Sequence, residues 1–324
     1  MSAPLLELID VSKTFAVGRK KSLRAVRSVS FTLDPGETLG IVGESGCGKT
    51  TLARLILRLL EPTEGTIRFD GTDLTHLPEK RMRPLRRHLQ VVFQDPYSSL
   101  NPRMRVRDIV AEPLRNFGVP AAERAERVRE ALDIVGMPSD VDVLDRFPHA
   151  FSGGQRQRIG IARALVVRPK LLVCDEAVSA LDVSIQAQIL NLLDDIQKRL
   201  ELALVFISHN LAVVRHLCHR IAVMYLGEVV ELASEQEVFE GSLHPYTRGL
   251  LAAVLEPRYD PSAREGDALP LGGEMPSPLS PPEGCAFRTR CPMARDECLE
   301  PPELREWRPG HWSRCHFAEE ALEL

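Results

Sequence analysis

The sequence lacks the long apolar runs of a membrane protein. No stretch of its 324 residues approaches the roughly 20 consecutive apolar residues that a membrane-spanning helix needs. The first residues, 1–4, are not followed by the basic segment and apolar run of an export signal. We therefore expect a chain that is not exported and does not span a membrane by itself.

The chain also lacks an excess of charge of either sign. Its 41 Lys and Arg residues oppose 45 Asp and Glu residues, for a net charge of -4. This balance gives no broad electrostatic reason to expect a nucleic acid or an anionic lipid as partner. There is no tandem repeat or low-complexity tract, and the 44% hydrophobic and 27% charged residues are typical of a globular protein. We expect a soluble, folded chain with about two domains.

Apolar runs interleaved with helical patterns predict an α/β body through about residue 240. Three runs, Leu39–Val42, Leu171–Cys174 and Leu204–Ile207, are apolar at every position, as expected for central parallel strands covered on both faces. The predicted strands are Leu6–Val11, Arg27–Leu33, Thr38–Val42, Leu89–Phe93, Lys170–Cys174, Ala203–Ile207 and Ile221–Tyr225.

A helical subdomain is predicted within this body, at about residues 101–150. It carries two helical patterns, Val106–Asn116 and Ala122–Val135, and no good strand. We place the end of the main domain, residues 1–255, where prolines become frequent and break any regular element. Residues 256–324 are predicted to be a proline-rich linker followed by a small cysteine-rich domain.

One segment has the pattern of a phosphate-binding loop. Residues 43–50, GESGCGKT, lie between the strand ending at Val42 and a predicted helix through Leu60, as the mechanism requires. The glycines let successive N–H groups face the phosphates, and the helix N-terminus adds its positive end. Lys49 is expected to reach the β- and γ-phosphates, and the Thr50 hydroxyl to ligate Mg²⁺. The residues assigned to this site are Gly43, Ser45, Gly46, Cys47, Gly48, Lys49, Thr50 and Thr51.

Two carboxylates follow the apolar strand 171–174. Asp175 is expected to hold Mg²⁺ in the crevice at the carboxyl end of the sheet, where α/β folds bind ligands. Glu176 is expected to polarise the attacking water, and Gln94, at the end of another strand, to contact the metal or the water. By itself an Asp-Glu pair is typical of a solvated loop, but beside a phosphate loop it indicates a catalytic site.

A second anion-binding pattern, Ser152-Gly153-Gly154-Gln155, precedes a predicted helix at Gln157–Val166. One nucleotide does not need two phosphate-binding segments in one chain. We interpret the surplus as a sign of assembly with another subunit.

Together these motifs closely resemble the ATP-binding subunits of ABC transporters over residues 5–255. The resemblance implies an α/β P-loop ABC ATPase with a RecA-like core, an antiparallel β subdomain, a helical subdomain and a small cysteine-rich C-terminal extension. In that family two ATP-binding subunits pair head to tail, so that each signature segment, here 152–155, faces the γ-phosphate held by the other. By the same resemblance Asp182 lies at the dimer contact, His209 senses the γ-phosphate and Phe15 stacks on adenine.

A narrower resemblance is to the oligopeptide and dipeptide importers. It is carried by residues 94–102, 179–188, 244–247 and 284–292. It implies an ATPase at the cytoplasmic face of the inner membrane, paired with a second, homologous ATP-binding subunit, two membrane-spanning permeases and, indirectly, an extracytoplasmic substrate-binding protein. The segment Asn101–Phe147 is the expected docking surface for the permeases. One departure from the wider family, Ala177-Val178 where Pro-Thr is commoner, leaves the two carboxylates intact.

Other functions stay open on the sequence alone. The cargo of the same kind of transporter could instead be nickel, a glycoside or another solute, since cargo is chosen by other subunits. The ATPase pair could be two copies of one chain. A soluble ABC-type ATPase acting on DNA or ribosomes is the remaining alternative, although the acidic charge and the lack of a long coiled-coil insertion argue against it.

Four cysteines stand apart near the end of the chain: Cys285, Cys291, Cys298 and Cys315. Seven cysteines without an export signal are typical of thiols or metal ligands rather than disulfides. Their spacing matches neither short zinc motifs nor the ferredoxin run, so it does not choose a metal. The resemblance to the peptide importers favours a 4Fe-4S cluster, with zinc as an alternative and unligated thiols as the simplest interpretation.

Overall fold

The computed structural model describes residues 3–18, 21–254 and 273–323. In chain order the strands are β1 Leu6–Val17, β2 Lys21–Leu33, β3 Thr38–Val42, β4 Glu64–Phe69, β5 Thr72–Asp73, β6 Leu89–Val92, β7 Leu171–Asp175, β8 Ala203–Ser208, β9 Arg220–Tyr225, β10 Glu228–Ser234, β11 Arg305–Arg308 and β12 His311–Ser313. The helices are α1 Lys49–Ile56, α2 Glu79–Leu85, α3 Pro96–Ser99, α4 Val106–Asn116, α5 Ala121–Ile134, α6 Val141–Leu144, α7 Gly153–Leu165, α8 Val183–Leu200, α9 Leu211–Leu217, α10 Glu235–Gly241 and α11 Pro245–Val254. Within these described ranges no helix has both the length and the apolarity needed to cross a membrane.

The strands form two sheets. An eight-stranded sheet has the order β11-β12-β10-β9-β3-β8-β7-β6, and its strands β9, β3, β8, β7 and β6 are parallel. A four-stranded antiparallel sheet has the order β2-β1-β4-β5. Strands β3 and β8 are buried at every residue, because helices cover one face of the sheet, and helix α1 together with the antiparallel sheet covers the other. The predicted α/β core with an antiparallel subdomain is confirmed.

Helices α4, α5 and α6 occupy the predicted helical segment, and no strand lies within residues 101–150. Apolar residues of α4 and α5, such as Ile109, Leu114 and Leu132, are fully buried against α7. Because α7 also contacts α8 and β6, α7 attaches this segment to the sheet, and that helix starts at the signature sequence.

The described end of the chain adds to the main sheet instead of forming a sheet of its own. Strand β12 pairs antiparallel with β10 at Glu231 and Leu232, and β11 pairs with β12. Phe287 is 2% exposed and belongs to the same core as the helices. The proposed division at residue 255 stays a prediction, since residues 255–272, which include most of the predicted linker, lie outside the described ranges.

Several predicted element bounds were wrong. Strands β1 and β2 are longer than expected, because they continue past bulges and remain paired up to Val17 and Lys21. Helix α1 ends at Ile56 instead of Leu60, since Arg58 takes a left-handed conformation with φ 51°. Helix α7 starts at Gly153, so the signature glycines form its first turn instead of preceding it. Strands β4, β5, β10, β11 and β12 were not predicted at all.

Candidate functional site

The phosphate loop joins β3 to α1, as predicted, and its glycines are required by its shape. Gly43 and Gly48 have φ of 153° and 111°, and Gly46 has φ 81°. A Cβ on Gly43 would lie 2.2 Å from the Met224 carbonyl oxygen, and one on Gly48 would lie 2.2 Å from that of Ala25. The loop therefore follows a path between β9 and β2 that only glycine permits at these positions.

Lys49 is the first residue of α1 and is 5% exposed. Its Nζ donates hydrogen bonds to the carbonyl oxygens of Gly43, at 2.7 Å, and Glu44, at 3.0 Å. The Lys49 ammonium thus lies across the phosphate loop and binds the carbonyl oxygens of its first two residues. No side chain caps the start of α1, so its first N–H groups are left for a bound anion, and the helix dipole favours that anion.

Thr50 and Asp175 meet at the carboxyl end of the sheet. The Thr50 hydroxyl donates to Asp175 Oδ1 at 3.3 Å. Burial raises the pKa of Asp175 above its ordinary value, the bond from Thr50 opposes that rise, and the nearby Glu176 carboxylate adds to it. A hydroxyl and a carboxylate crowded by a second carboxylate are oxygen donors that suit Mg²⁺, which would relieve the repulsion.

Glu176 begins the loop after β7. Its backbone is left-handed, with φ 49°, which is uncommon for a residue with a side chain. Its N–H donates to the Ile207 carbonyl at 3.1 Å, which fixes it between β7 and β8. Glu176 Oε1 lies 3.5 Å from His209 Nδ1, and the histidine is 57% exposed. The structure thus brings together the two residues predicted to handle the attacking water and the γ-phosphate.

A cleft opens over the phosphate loop. Of the predicted residues it is lined by loop residues 45–50, Thr51, Gln94 and Glu176, whereas Gly43 is not among the lining residues. Phe15 is not among the lining residues. It lies on β1 opposite Leu23 of β2, and Leu23 lines the cleft together with Arg24 and Ala25. The sequence analysis did not single out these β2 residues, and no local pattern marks them.

The signature residues lie elsewhere in the chain. Ser152 caps α7 in a reciprocal arrangement with Gln155: the serine hydroxyl accepts from Gln155 N at 3.3 Å, and Gln155 Oε1 accepts from Ser152 N at 3.0 Å. Gly153 faces Leu181, and Gly154 faces Ile185 in the first turn of α8. Asp182 is the residue immediately before that helix. Neither the signature residues nor Asp182 are among the residues that line the described cleft, and Asp182 is exposed.

The four C-terminal cysteines lie near one another. The N–H of Cys285 donates to the Cys298 carbonyl at 2.9 Å. Burial raises the pKa of Cys285 to about 11 and that of Cys315 to about 12. Cys298 and Cys291 add to the rise at Cys285, and the other three of these cysteines add to the rise at Cys315. Across the part of the chain that the structure describes, however, no three His, Cys, Asp or Glu side chains are arranged to hold a metal ion. The structure therefore does not confirm the predicted cluster or the zinc alternative.

Two residues that the sequence analysis did not assign to the site also reach the phosphate loop. Arg290 pairs with Glu44, with Nη1 2.7 Å from Oε2, and the Tyr246 hydroxyl accepts from Glu44 N at 2.9 Å. Both partners come from more than 200 positions along the chain. Arg290 belongs to a segment that carries the importer resemblance, but nothing in that segment indicates which residue it contacts.

Comparison with protein families gives two matches. A model described as "ABC transporter" matches residues 26–179, which include the phosphate loop and the end of β7. A model described as "Oligopeptide/dipeptide transporter, C-terminal region" matches residues 230–298, which include three of the four cysteines.

Similar proteins agree with those families. The chain is 52% identical over 314 residues to a protein of Brucella ovis named as a peptide import ATP-binding protein, covering 96% of this chain and 97% of that one. It is 49% identical over 323 residues to the oligopeptide transport ATP-binding protein AppF of Bacillus subtilis, covering 97% of each.

Solved structures with the same architecture are also similar. CbiO1 of Clostridium perfringens, part of an ABC transporter complex, matches with a TM-score of 0.67 and 29% identity over 74% of this chain and 92% of its own. The ATP-binding cassette MJ0796, solved as a dimer bound to ADP and Pi, matches with a TM-score of 0.64 and 29% identity over 71% of this chain and 98% of its own.

Proposed function

This chain belongs to the ATP-binding subunits of oligopeptide and dipeptide ABC transporters, and from that membership we propose that it hydrolyses ATP to energise peptide import through separate membrane-spanning subunits. The observation that carries the proposal is the convergence of the phosphate loop, Gln94 and Glu176 on one cleft beside Asp175. Each of the other predicted site residues also has a role in this proposal.

The phosphate loop would hold the triphosphate of ATP. Lys49, which spans its own loop, would exchange its two carbonyl partners for phosphate oxygens. Thr50 and Asp175 would hold Mg²⁺, with Gln94 near it, and the ion would neutralise charge on the phosphates. Thr51 and the loop residues 43–48 would supply the remaining contacts.

Glu176 would act as the general base. Its carboxylate is partly buried and lies beside His209, so it is held in place at the cleft while its second oxygen remains available to a water molecule. His209 would contact the γ-phosphate, because its ring lies at the end of β8 next to Glu176 and is largely exposed.

A second ATP-binding subunit would complete each site. Residues 152–155 and Asp182 do not line this chain's own cleft, and α8 begins with Val183 at 82% exposure. In a head-to-tail pair these residues would face the partner's nucleotide. We propose a partner that is homologous rather than identical, with a pair of identical chains as the alternative.

The membrane partners would be two permease subunits, with a substrate-binding protein on the far side of the membrane. Phe93 and Tyr97 lie on either side of Gln94 in the sequence and are 42% and 65% exposed. They would offer the permeases an apolar surface next to the helical segment 101–147. A contact at this place would connect Gln94, and through it the nucleotide, to the transport path. We propose a peripheral position on the cytoplasmic face of the inner membrane. Import of nickel, a glycoside or another solute is the alternative, and an action on nucleic acid is not part of the proposal.

The four-cysteine patch would hold a 4Fe-4S cluster, with zinc as the alternative. Four thiols in one partly buried patch are the donor set that either group needs, and a bound cation would offset the burial that raises the pKa values of Cys285, Cys291 and Cys315. Their present arrangement is not that of a metal site, so the side chains would have to turn toward a common centre.

The Glu176→Gln variant tests the function. The amide cannot accept the proton of water, so ATP should still bind while hydrolysis falls by about 10²–10⁴-fold. Lys49→Ala is the matched control, and it should lose nucleotide binding. Hydrolysis by Glu176→Gln within a few-fold of the parent chain would contradict the assignment of Glu176.

The same Glu176→Gln chain tests the partners. With ATP in mild detergent it should retain two multi-spanning proteins and a second ATPase, identified by mass spectrometry. Ribosomes or nucleic acid without membrane proteins would contradict the importer assignment. The retained permeases would then identify the system in which peptide, nickel and glycoside uptake are compared.

A further inference from the structure

The C-terminal segment reaches into the phosphate loop through one arginine. Both guanidinium nitrogens of Arg290 bind the Glu44 carboxylate, Nη1 to Oε2 at 2.7 Å and Nη2 to Oε1 at 3.1 Å. The two residues are 246 positions apart, and Glu44 is the second residue of the loop. A two-point contact of this kind fixes the direction of both side chains as well as their distance.

The pair is well enclosed on the arginine side. The Arg290 side chain is 5% exposed and that of Glu44 is 28% exposed. The guanidinium carbon lies 5.8 Å from the Tyr225 ring centre and 5.9 Å from that of Phe287, so two aromatic rings support it. The low exposure of Arg290 limits screening of the pair by solvent, so the pair should contribute more to stability than a surface ion pair does.

The backbone N–H, the backbone carbonyl oxygen and both carboxylate oxygens of Glu44 all have hydrogen-bond partners. Its N–H donates to the hydroxyl of Tyr246, which is fully buried, and its carbonyl oxygen accepts from Lys49 Nζ. The residue that Arg290 holds is therefore one of the two, with Gly43, whose carbonyl oxygens position the ammonium expected to bind phosphate. A shift of Glu44 would move that ammonium and reshape the loop.

Charge gives a second reason for the pair. An unpaired carboxylate in the loop would repel the triphosphate, and a partly enclosed site would strengthen the repulsion. Arg290 neutralises that carboxylate from the side of the sheet. The same contact thus orients the loop and removes its one unfavourable charge.

We propose that Arg290 is a positioning residue for nucleotide binding: by holding Glu44, the C-terminal segment sets the phosphate loop and Lys49 in the conformation that accepts the triphosphate. The inference rests on the proposed function, since it takes this loop as the ATP site. It adds that the C-terminal segment is part of the machinery that sets nucleotide affinity.

Nucleotide affinity of variants tests the proposal. We expect Arg290→Gln to raise the Kd for a fluorescent ATP analogue with Mg²⁺ roughly tenfold, which is the size of a coupling of 1.4 kcal/mol. Glu44→Gln should raise it less, because it removes the repulsive charge together with the contact. Arg290→Lys keeps the charge but not the two-point contact and should give an intermediate value. In a double-mutant cycle, Arg290→Gln should have little further effect in the Glu44→Gln background.

A second ion pair in the same segment provides the control. Arg295 Nη2 lies 2.5 Å from Glu320 Oε2, and both side chains are about half exposed. Arg295→Gln should leave the Kd unchanged. Melting temperatures without nucleotide, measured for every variant, separate loss of affinity from loss of stability: a purely structural role would lower the melting temperature of Arg290→Gln and leave its Kd unaltered.

The outcomes distinguish this inference from the proposed function. If Lys49→Ala still binds the analogue, the loop is not the nucleotide site and both fail. If Lys49→Ala loses binding but Arg290→Gln matches the parent Kd, or the effects of Arg290→Gln and Glu44→Gln simply add, only the present inference is overturned. Should Arg290→Gln not fold, the Kd values of Arg290→Lys and Glu44→Gln decide, and parent-like values for both would refute it.

Discussion

A buried contact between a histidine and a carboxylate attaches β12, the last strand in the chain, to β10, and its removal gives a measurable prediction. His311 Nε2 on β12 lies 2.7 Å from Glu231 Oε1 on β10, and the two side chains are 1% and 0% exposed. The same carboxylate oxygen accepts from Leu243 N at 2.5 Å. The His311→Ala substitution would leave a fully buried carboxylate with one neutral donor.

Removing one partner of a buried pair typically costs about 3–5 kcal/mol, because the remaining charge has lost both its solvent and its partner. Since β12 pairs with β10 over a short stretch, at Glu231 and Leu232, we expect this cost to appear as local opening of β11 and β12 before the core unfolds. At 1.4 kcal/mol for each factor of ten, the opened population should rise roughly 10²- to 4 × 10³-fold.

Hydrogen exchange followed by mass spectrometry over residues 305–315 measures that opening. We expect the amides of this segment to lose protection in His311→Ala, while those of β3 and β8 keep theirs. In a Glu231→Gln background no buried carboxylate is left without its partner, so His311→Ala should have a much smaller effect. Exchange within twofold of the parent chain, or an equal effect in both backgrounds, would refute the reasoning.

Two further predictions concern packing and the cysteine patch. A Cβ on Gly154 would lie 2.5 Å from Ile185 Cγ2, so Gly154→Ala should destabilise the fold by about 1–3 kcal/mol in urea unfolding. A Cβ on Gly160 in the same helix would meet nothing within 4 Å, so Gly160→Ala should be neutral or slightly stabilising. Equal losses of stability in the two variants would contradict this packing. Protein purified without oxygen should contain iron and acid-labile sulfide, and Cys298→Ser should lose both, whereas zinc alone would favour the alternative and neither metal would leave unligated thiols.

The central sheet could be predicted because its strands carry an unambiguous signal. Strands β3, β7 and β8 are apolar at almost every position, and burial on both faces allows nothing else. The phosphate loop and Asp175 follow such strands directly, so their places at the carboxyl edge of the sheet followed from the strands. The contact between Thr50 and Asp175, 125 positions apart, is a consequence of that topology.

The C-terminal contacts could not be predicted in this way. Strands β11 and β12 have four and three residues, too few to show a period, and they are stable only because β10 is beside them. The Arg290–Glu44 pair joins two charged residues, each of which is typical of a solvated surface when considered alone. Charge partners that are distant in the chain leave no local pattern, so neither these two strands nor the link of this region to the loop followed from the sequence.

The last two strands also determine how the main sheet ends. Strand β10 has five consecutive buried residues, Val229–Ala233, and without β12 it would be the outermost strand on its side. An apolar edge with open N–H and C=O groups is a template for aggregation with other chains. The strand that now lies outermost, β11, is short and carries Arg305, Glu306 and Arg308. The C-terminal segment thus covers this apolar edge, and we expect chains that end before His311 to associate edge to edge and precipitate during synthesis even where the ATP site is intact.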